Sequence, residues 1–275
     1  MRHAESIRRQ FSAASAAYAV SAVHRGGPDL DALIAAAGEI RGRRVLDVGA
    51  GAGATALAFV ERGAEVTALD ATPAMLETLA TEATRRGLVP PSARIGDAAA
   101  LPFEDAAFDL VTCRVCAHHF ADVRAAIAEM ARVLRPGGLL LVEDSISYED
   151  DVQDTWLNAI ELLRDPSHVR NHAVSEWLAM LAAAGLDARH LSTFGVRLEF
   201  DDWTARMNVA PADRERLLAL LVSAPVEVRD ALEIGAGGDW TIPLALFCAR
   251  KSERRGSCSG ERADDQPSSR SLRNG

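Results

Sequence analysis

The sequence predicts an α/β protein built on a doubly wound, mostly parallel sheet. Two observations lead to it. The apolar run Val45–Val48 feeds a glycine-rich turn, Gly49-Ala-Gly51-Ala-Gly53, and a helical stretch opens at Ala54; strand, glycine turn and helix together make a nucleotide-binding βα unit. A second apolar run, Glu65–Leu69, ends in Asp70 and is again followed by a helix, with Pro73 at its first turn.

Composition narrows the choice of function. The 275 residues are enough for one large domain, or a domain with a cap. Net charge is −9; the tail after Arg250 holds six basic and four acidic residues, so residues 1–250 carry about −11. Such a surface repels phosphate backbones, and nucleic acid is not the expected partner. No run approaches the roughly 20 apolar residues of a membrane span. Met1–Gln10 is charged and lacks an apolar core, so no secretory signal is expected. Residues 2–25 have the Arg, Ala and Ser of a transit peptide, but Glu5 argues against removal, and the expected location is cytoplasmic. Lys251 is the only lysine, which reads as GC-rich coding. Cys113-x-x-Cys116 has no second pair; in an extended strand the two side chains would point to opposite faces, so buried thiols are expected and no metal site.

In chain order, residues 3–24 read as an Ala-rich helix or pair of helices marked by Ile7, Phe11 and Tyr18. Gly26-Gly27-Pro28 breaks the chain, and Asp29 is expected to cap a helix carrying Leu30, Leu33 and Ile34. The turn after Val45–Val48 suits two ligands. Gly49-x-Gly51-x-x-Ala54, with Asp70 about twenty residues on, satisfies a Rossmann-like dinucleotide fingerprint. Asp47, two residues before the first glycine, would face the ammonium group of an amino acid but would repel a pyrophosphate. Asp70 at a strand end suits a bidentate hold on a ribose diol, and Met75 either packs on the adenine or joins the core. Ala93-Arg-Ile-Gly-Asp97-Ala98 reads as a short strand ending in Asp97. Phe108–Cys113 is strand four, and Arg114–Phe120 leaves its C-terminal end, the edge where open parallel sheets bind ligands. Asp122 caps a helix whose Ile127, Met130, Val133 and Leu134 share one face, and Arg135-Pro-Gly-Gly138 stops it before strand five, Leu139–Val142. Val152, Trp156, Ile160 and Leu163 mark an amphipathic helix, followed by the polar loop Arg164–His172. Ser175–Ala184 is a helix closed by Gly185. Asp187–Phe200 and Asp239–Arg250 read as the last two strands, with Trp203, Met207 and a helix from Asp213 to Val222 between them. The tail beyond Lys251 has no core formers and should be disordered.

Asp47-x-Gly-x-Gly-x-Gly, Asp70, the Asp97-Ala98 pair, Leu101-Pro-Phe103 before Phe108–Val111, and Arg132-Val-Leu-Arg-Pro-Gly-Gly138 together resemble the class I S-adenosylmethionine-dependent methyltransferases. Within these, the chain is most similar to the small-molecule branch that includes the ubiquinone and menaquinone biosynthesis enzymes. The resemblance implies a seven-stranded sheet closed by an antiparallel last strand, an N-terminal helical cover (residues 1–42), a methyltransferase domain (43–250) with a helical lid insert at about 145–172, and a tail (251–275). The cofactor would be S-adenosyl-L-methionine. It would be held by Asp47 and the glycines 49, 51 and 53, by Asp70 on the ribose, by Asp97 on the adenine amino group and by the Ala98 N–H on a ring nitrogen. Met75, Arg114 (toward the cofactor carboxylate) and Tyr18 are further candidates. The Phe11, Tyr18, Ser21 and His24 pattern matches the family's covering helix. The His118–His119 pair is typical of this branch and supplies the candidate base, with His119 favoured.

Substrate contacts are expected from His24, Glu143, Trp156, His168 and His172. The acceptor is expected to be a small molecule, with a phenolic or quinol-like oxygen or ring carbon first. A cofactor-binding protein without transfer activity and a nicotinamide-dependent oxidoreductase are the alternatives. If His119 takes a proton, turnover should rise with pH near 6.5, the unperturbed imidazole value. The sequence is silent on oligomeric state.

Overall fold

The structure, a computed structural model, describes residues 3–20 and 26–253. Its strands are β1 (Arg44–Val48), β2 (Glu65–Asp70), β3 (Ser92–Ile95), β4 (Phe108–Arg114), β5 (Leu134–Ser145), β6 (Leu186–Leu198) and β7 (Trp240–Lys251). Its helices are α1 (His3–Val20), α2 (Pro28–Ala37), α3 (Ala54–Glu61), α4 (Pro73–Arg85), α5 (Val123–Val133), α6 (Asp151–Arg164), α7 (Val174–Ala183), α8 (Phe200–Arg206), α9 (Pro211–Ser223) and α10 (Val226–Ala231). One seven-stranded sheet runs in the order β3-β2-β1-β4-β5-β7-β6. The first five are parallel, and β7 lies antiparallel between β5 and β6. The expected last pair is therefore present, but β6 rather than β7 forms the edge.

The central strands β1, β4 and β5 are buried on both faces, and their period of two sorts side chains into two cores. Leu46, Val48, Leu140 and Val142 point to the side of α5 and α7, where they meet Ile127, Met130 and Trp177. Val45, Leu139 and Leu141 point to the side of α2, α3 and α4, where they meet Leu33, Leu57 and Leu79. A third core joins α6 and α8–α10 to the ends of β6 and β7 through Leu157, Ile160, Trp203, Leu217, Leu221 and Trp240. Trp156 packs at the margin of that third core.

Some local expectations are corrected. Helix α2 starts at Pro28 with Gly27 as its cap, so Asp29 lies inside the first turn and its side chain is free to pair elsewhere. Asp122 does cap α5, accepting from the Ala125 N–H at 2.9 Å. Strand β5 begins at Leu134 rather than Leu139. The Arg-Pro-Gly-Gly turn is absorbed as an irregularity: Phe108 pairs with Leu134 but Leu110 already with Leu139, and Gly137 sits at φ 73°. Cys113 and Cys116 do not point to opposite faces. The strand ends at Arg114, Val115 turns the chain at φ 51°, and the two Sγ atoms stand 3.3 Å apart. Ser21, His24, the tail from 254 on and the side chain of Tyr18 lie outside the described residues.

The one lysine has a structural task. Lys251 Nζ donates to the carbonyls of Ala131, Arg132 and Leu134, at 2.6, 3.2 and 2.7 Å, tying the end of β7 to the end of α5. Those carbonyls have no helical partner of their own, and a cation at a helix C-terminus also meets the dipole favourably. Replacing Lys251 with Met is expected to lower stability by about 1–2 kcal/mol, or roughly 2–8 °C in melting temperature for a domain of this size. Thermal unfolding with far-ultraviolet circular dichroism measures it. A shift below about 1 °C would make the contact energetically idle.

Candidate functional site

A cavity of about 390 Å³ opens at the C-terminal ends of β1, β2 and β4. The glycine turn forms its floor, and each glycine has its own reason to be there. A Cβ at Gly49 (φ 70°) would lie 2.4 Å from Cys116 Sγ, and one at Gly53 (φ 92°) 2.5 Å from Leu79 Cγ. These two let β4's exit and α4 come close. A Cβ at Gly51 (φ 53°) would meet nothing within 4 Å, yet the residue lines the cavity, so the space it leaves is available to a ligand.

Asp47 is 1 % exposed and lines the cavity. Thr112 Oγ1 donates to its Oδ1 at 2.8 Å, while Oδ2 is buried with no partner. Burial pushes its pKa up to about 7, against the opposing pull of the Thr112 bond and the Arg114 charge. A buried carboxylate oxygen with an unmet bond calls for a cationic N–H donor, which is what the ammonium of an amino-acid-like ligand offers. Asp70 closes the next corner. Its Oδ2 accepts from the Gly51 N–H at 2.9 Å and its Oδ1 from the Thr72 N–H at 2.8 Å; burial outweighs these bonds and raises its pKa. Asp97 is exposed at the rim, with Oδ1 on the Ala99 N–H at 2.9 Å, while Ala98 and Met75 are buried in the wall.

Arg114 reaches the cavity from the end of β4 but is already flanked. It forms ion pairs with Asp29 and, at 2.9 Å, with Glu143 Oε1. Burial drives Glu143 up to about 8, which Arg114 only partly offsets and Asp29 reinforces. Burial acts the same way on Asp29, but there the charge and hydrogen bond of Arg114 win and hold it below the usual value. Two protein carboxylates thus occupy the guanidinium that the sequence offered to the cofactor carboxylate.

The histidine pair lies in a single 3₁₀ turn, Ala117–His119, not in an extended segment, and the two rings are 4.1 Å apart. His119 lines the cavity; His118 does not. His118 Nδ1 lies 2.5 Å from Asp144 Oδ1, and Asp144 Oδ2 accepts the N–H groups of Cys116, Ala117 and His118. Burial would lower the pKa of His118, but the charge and bond of Asp144 overcome it and raise it. That pair holds the turn together. His119 stacks edge-on with Phe11 of α1, centroids 4.9 Å apart, and its carbonyl meets His3 Nε2 at 2.9 Å. Burial, helped by His118, pushes the pKa of His119 down to about 3. In the ligand-free protein the ring is therefore neutral across the physiological range, and His119 itself is not expected to give the rate limb near pH 6.5.

Four residues expected at the substrate lie off this cavity. Glu143 is fully buried under Arg114, and Trp156 faces the third core. His168 is buried with Nε2 at 3.1 Å from Asn158 Oδ1, and His172 sits beside Glu176 and Trp177. The reason is common to His168 and His172: the polar loop after α6 packs inward on β4's exit turn and β5, and does not reach over the cavity mouth. The mouth is instead covered by α1, through His3, Ile7, Arg8 and Phe11. His3 carried no sequence signal, Cys116 read only as a buried thiol, and Asp29 carried a misleading signal, since Asp after Gly-Pro reads as a cap.

Comparisons with known proteins identify the family. Residues 46–142 match the methyltransferase domain family. The chain is 41 % identical over 221 residues to the uncharacterized methyltransferase YcgJ of Bacillus subtilis, covering 80 % of this chain and 87 % of that one. The crystal structure of YcgJ superimposes with a TM-score of 0.78 at 36 % identity, over 82 % of this chain and 98 % of that chain. The demethylmenaquinone methyltransferase of Thermus thermophilus is 45 % identical over 104 residues, 36 % of this chain and 46 % of that protein. A glycine turn that leaves room for a ligand, acids at the ends of the first two strands, and a sheet that ends β5-β7-β6 all occur in a sequence this close to YcgJ over most of its length: the chain belongs to the class I S-adenosylmethionine-dependent methyltransferases.

Proposed function

We propose that this enzyme binds S-adenosylmethionine in the cavity over the glycine turn and methylates an uncharged, partly apolar small molecule, with a phenolic or quinol-like oxygen or an adjacent ring carbon as the acceptor. The observation that carries the proposal is the buried, unpartnered Oδ2 of Asp47 on the cavity wall. It fits the cofactor's ammonium, as the open space at Gly51 fits close approach of its backbone-hugging part and Asp70 fits the ribose. The cofactor supplies a methyl group on a sulfonium sulfur, a good leaving group, so the chain's main task is alignment, which can supply roughly 7–11 kcal/mol. Ile7, Phe11, Val115 and Phe120 give the remaining wall an apolar character around the neutral His119. That suits an aromatic acceptor whose hydroxyl hydrogen-bonds to the imidazole. The acidic body disfavours a polyphosphate substrate.

The organisation that follows is a helical cover (1–42), a methyltransferase domain (43–250, carried to Lys251 by β7) with its insert at about 145–172, and a tail. Cys113 and Cys116, free thiols 3.3 Å apart, suit a reducing compartment, and the cytoplasm is the proposed location. Among the described residues no helix is long and apolar enough to cross a membrane.

Titration calorimetry with S-adenosylhomocysteine tests the binding half. Asp70→Ala and Asp97→Ala are each expected to weaken binding by about tenfold, the equivalent of one charged hydrogen bond, with the fold intact. Changes under twofold in both would place the cofactor elsewhere. Radiolabelled methyl transfer over a panel of phenols, quinols, amines and carboxylates tests the acceptor half. Turnover confined to amines or carboxylates, or strong turnover on tRNA or DNA, would refute it.

A further inference from the structure

His119 lines the cavity, and its Nδ1 side is gripped by the polar loop between α6 and α7. His119 Nδ1 lies 3.1 Å from the carbonyl oxygen of Ser167 and 3.3 Å from its Oγ. Ser167 is itself fully buried and fixed twice to one oxygen. Its N–H donates to Asp165 Oδ1 at 2.8 Å and its hydroxyl to the same atom at 2.7 Å. Asp165 is buried too, and its N–H donates to the Glu161 carbonyl of α6 at 2.9 Å. The same loop clasps the neighbouring residue, with the N–H groups of Val169 and Arg170 on the His118 carbonyl at 2.8 and 3.2 Å.

These contacts decide where the imidazole proton sits. A carbonyl oxygen only accepts, and the Ser167 hydroxyl hydrogen is committed to Asp165, so Nδ1 faces two lone pairs and must carry the N–H. Nε2 is then the bare acceptor nitrogen, and it has no protein hydrogen-bond partner among the described residues. We propose that Asp165 and Ser167 are positioning residues for methyl transfer: they lock His119 as the Nδ1–H tautomer and leave Nε2 to accept the hydroxyl hydrogen bond of the acceptor. The insert thus works from behind the site instead of closing over it. The inference rests on the reading of His119 as the acceptor's partner.

Long-range ¹H–¹⁵N spectra of protein labelled on its histidine nitrogens read the tautomer directly, without substrate. The wild-type enzyme is expected to show His119 as a single neutral Nδ1–H form from pH 5 to 8. Asp165→Ala should release Ser167, mix the tautomers and lower kcat on the best phenol of the panel about tenfold, with S-adenosylhomocysteine affinity within twofold. Asp165→Asn keeps an oxygen acceptor at the same place and should restore both tautomer and kcat to within about threefold of wild type. If Asp165→Ala does not fold, Ser167→Ala removes one of the two ties to Asp165, and a kcat loss of about threefold with partial tautomer mixing is expected. A wild-type Nε2–H tautomer, or an unmixed Nδ1–H tautomer in Asp165→Ala, overturns the inference. Mixed tautomers with unchanged kcat would instead overturn the role of His119 in transfer and leave the lock itself standing.

Discussion

Asp47→Asn is expected to weaken S-adenosylhomocysteine binding by roughly 30- to 1000-fold, the 2–4 kcal/mol of a buried charged pair that loses one member. The same substitution should stabilise the ligand-free protein at pH 8. Oδ2 of Asp47 is buried without a partner, so ionising it there is costly, and its pKa stands at about 7 against about 3.9 in an unfolded chain. A raised carboxyl pKa favours the fold fully below about pH 4, and that contribution is lost as pH rises through 7. The asparagine has no such loss. Glu143, raised to about 8, has the same sign, so the informative quantity is the difference between wild-type and variant melting curves across pH 5–9. Cofactor binding runs the opposite way: it needs the ionised carboxylate, so wild-type affinity should strengthen as pH rises through 7, and the variant should lack that rise. Affinity within threefold of wild type at pH 8 would remove Asp47 from the binding site.

His119→Ala is expected to lower turnover about 10²-fold with little change in cofactor affinity. Its pH behaviour separates two roles. With the pKa pushed to about 3 by burial, the ring stays neutral from pH 5 to 8 and contributes no limb to kcat there. A neutral ring accepts a hydrogen bond far more readily than it keeps a proton. His119→Gln, whose amide oxygen also accepts, should therefore recover most of the lost rate. A Gln variant as slow as Ala, together with a kcat limb near 6.5 in the wild type, would return His119 to the role of a base and show that the acceptor raises its pKa on binding.

The glycine-turn side of the cavity was legible because it is written locally. The glycines, Asp47 and Asp70 lie within or beside two βα turns, where strand, turn and helix dictate each other. What escaped the sequence depends on contacts between distant segments. Asp29 and Arg114 are 85 residues apart and meet only after α2 packs across the sheet. The orientation of the histidine pair depended on whether the chain beyond β4 was extended or turned. Val115, a β-branched residue at φ 51°, gives no hint of that turn in its own preferences. The insert read as a lid from the resemblance to the methyltransferases and from the dense polar loop Arg164–His172 that follows its helix. In the fold the loop turns inward: Asp165 accepts from the Ser167 N–H and hydroxyl, and Asn171 and Ser167 are among the least exposed polar residues described.

The place of β7 bears on the order in which the chain can assemble. Leu140 pairs with Ala249, and Ala188 pairs with the same residue from the other side. All five parallel strands are available to pair with one another once residue 145 has emerged during synthesis. The gap beside β5, however, stays open for a further hundred residues or so, until the last strand arrives to fill it. Contacts so distant along the chain form late and slowly. Until then β5, apolar along Leu139–Val142, is an unprotected edge of the kind that draws in other chains. Lys251, tying the end of β7 to the end of α5, is then the latch of the final folding step.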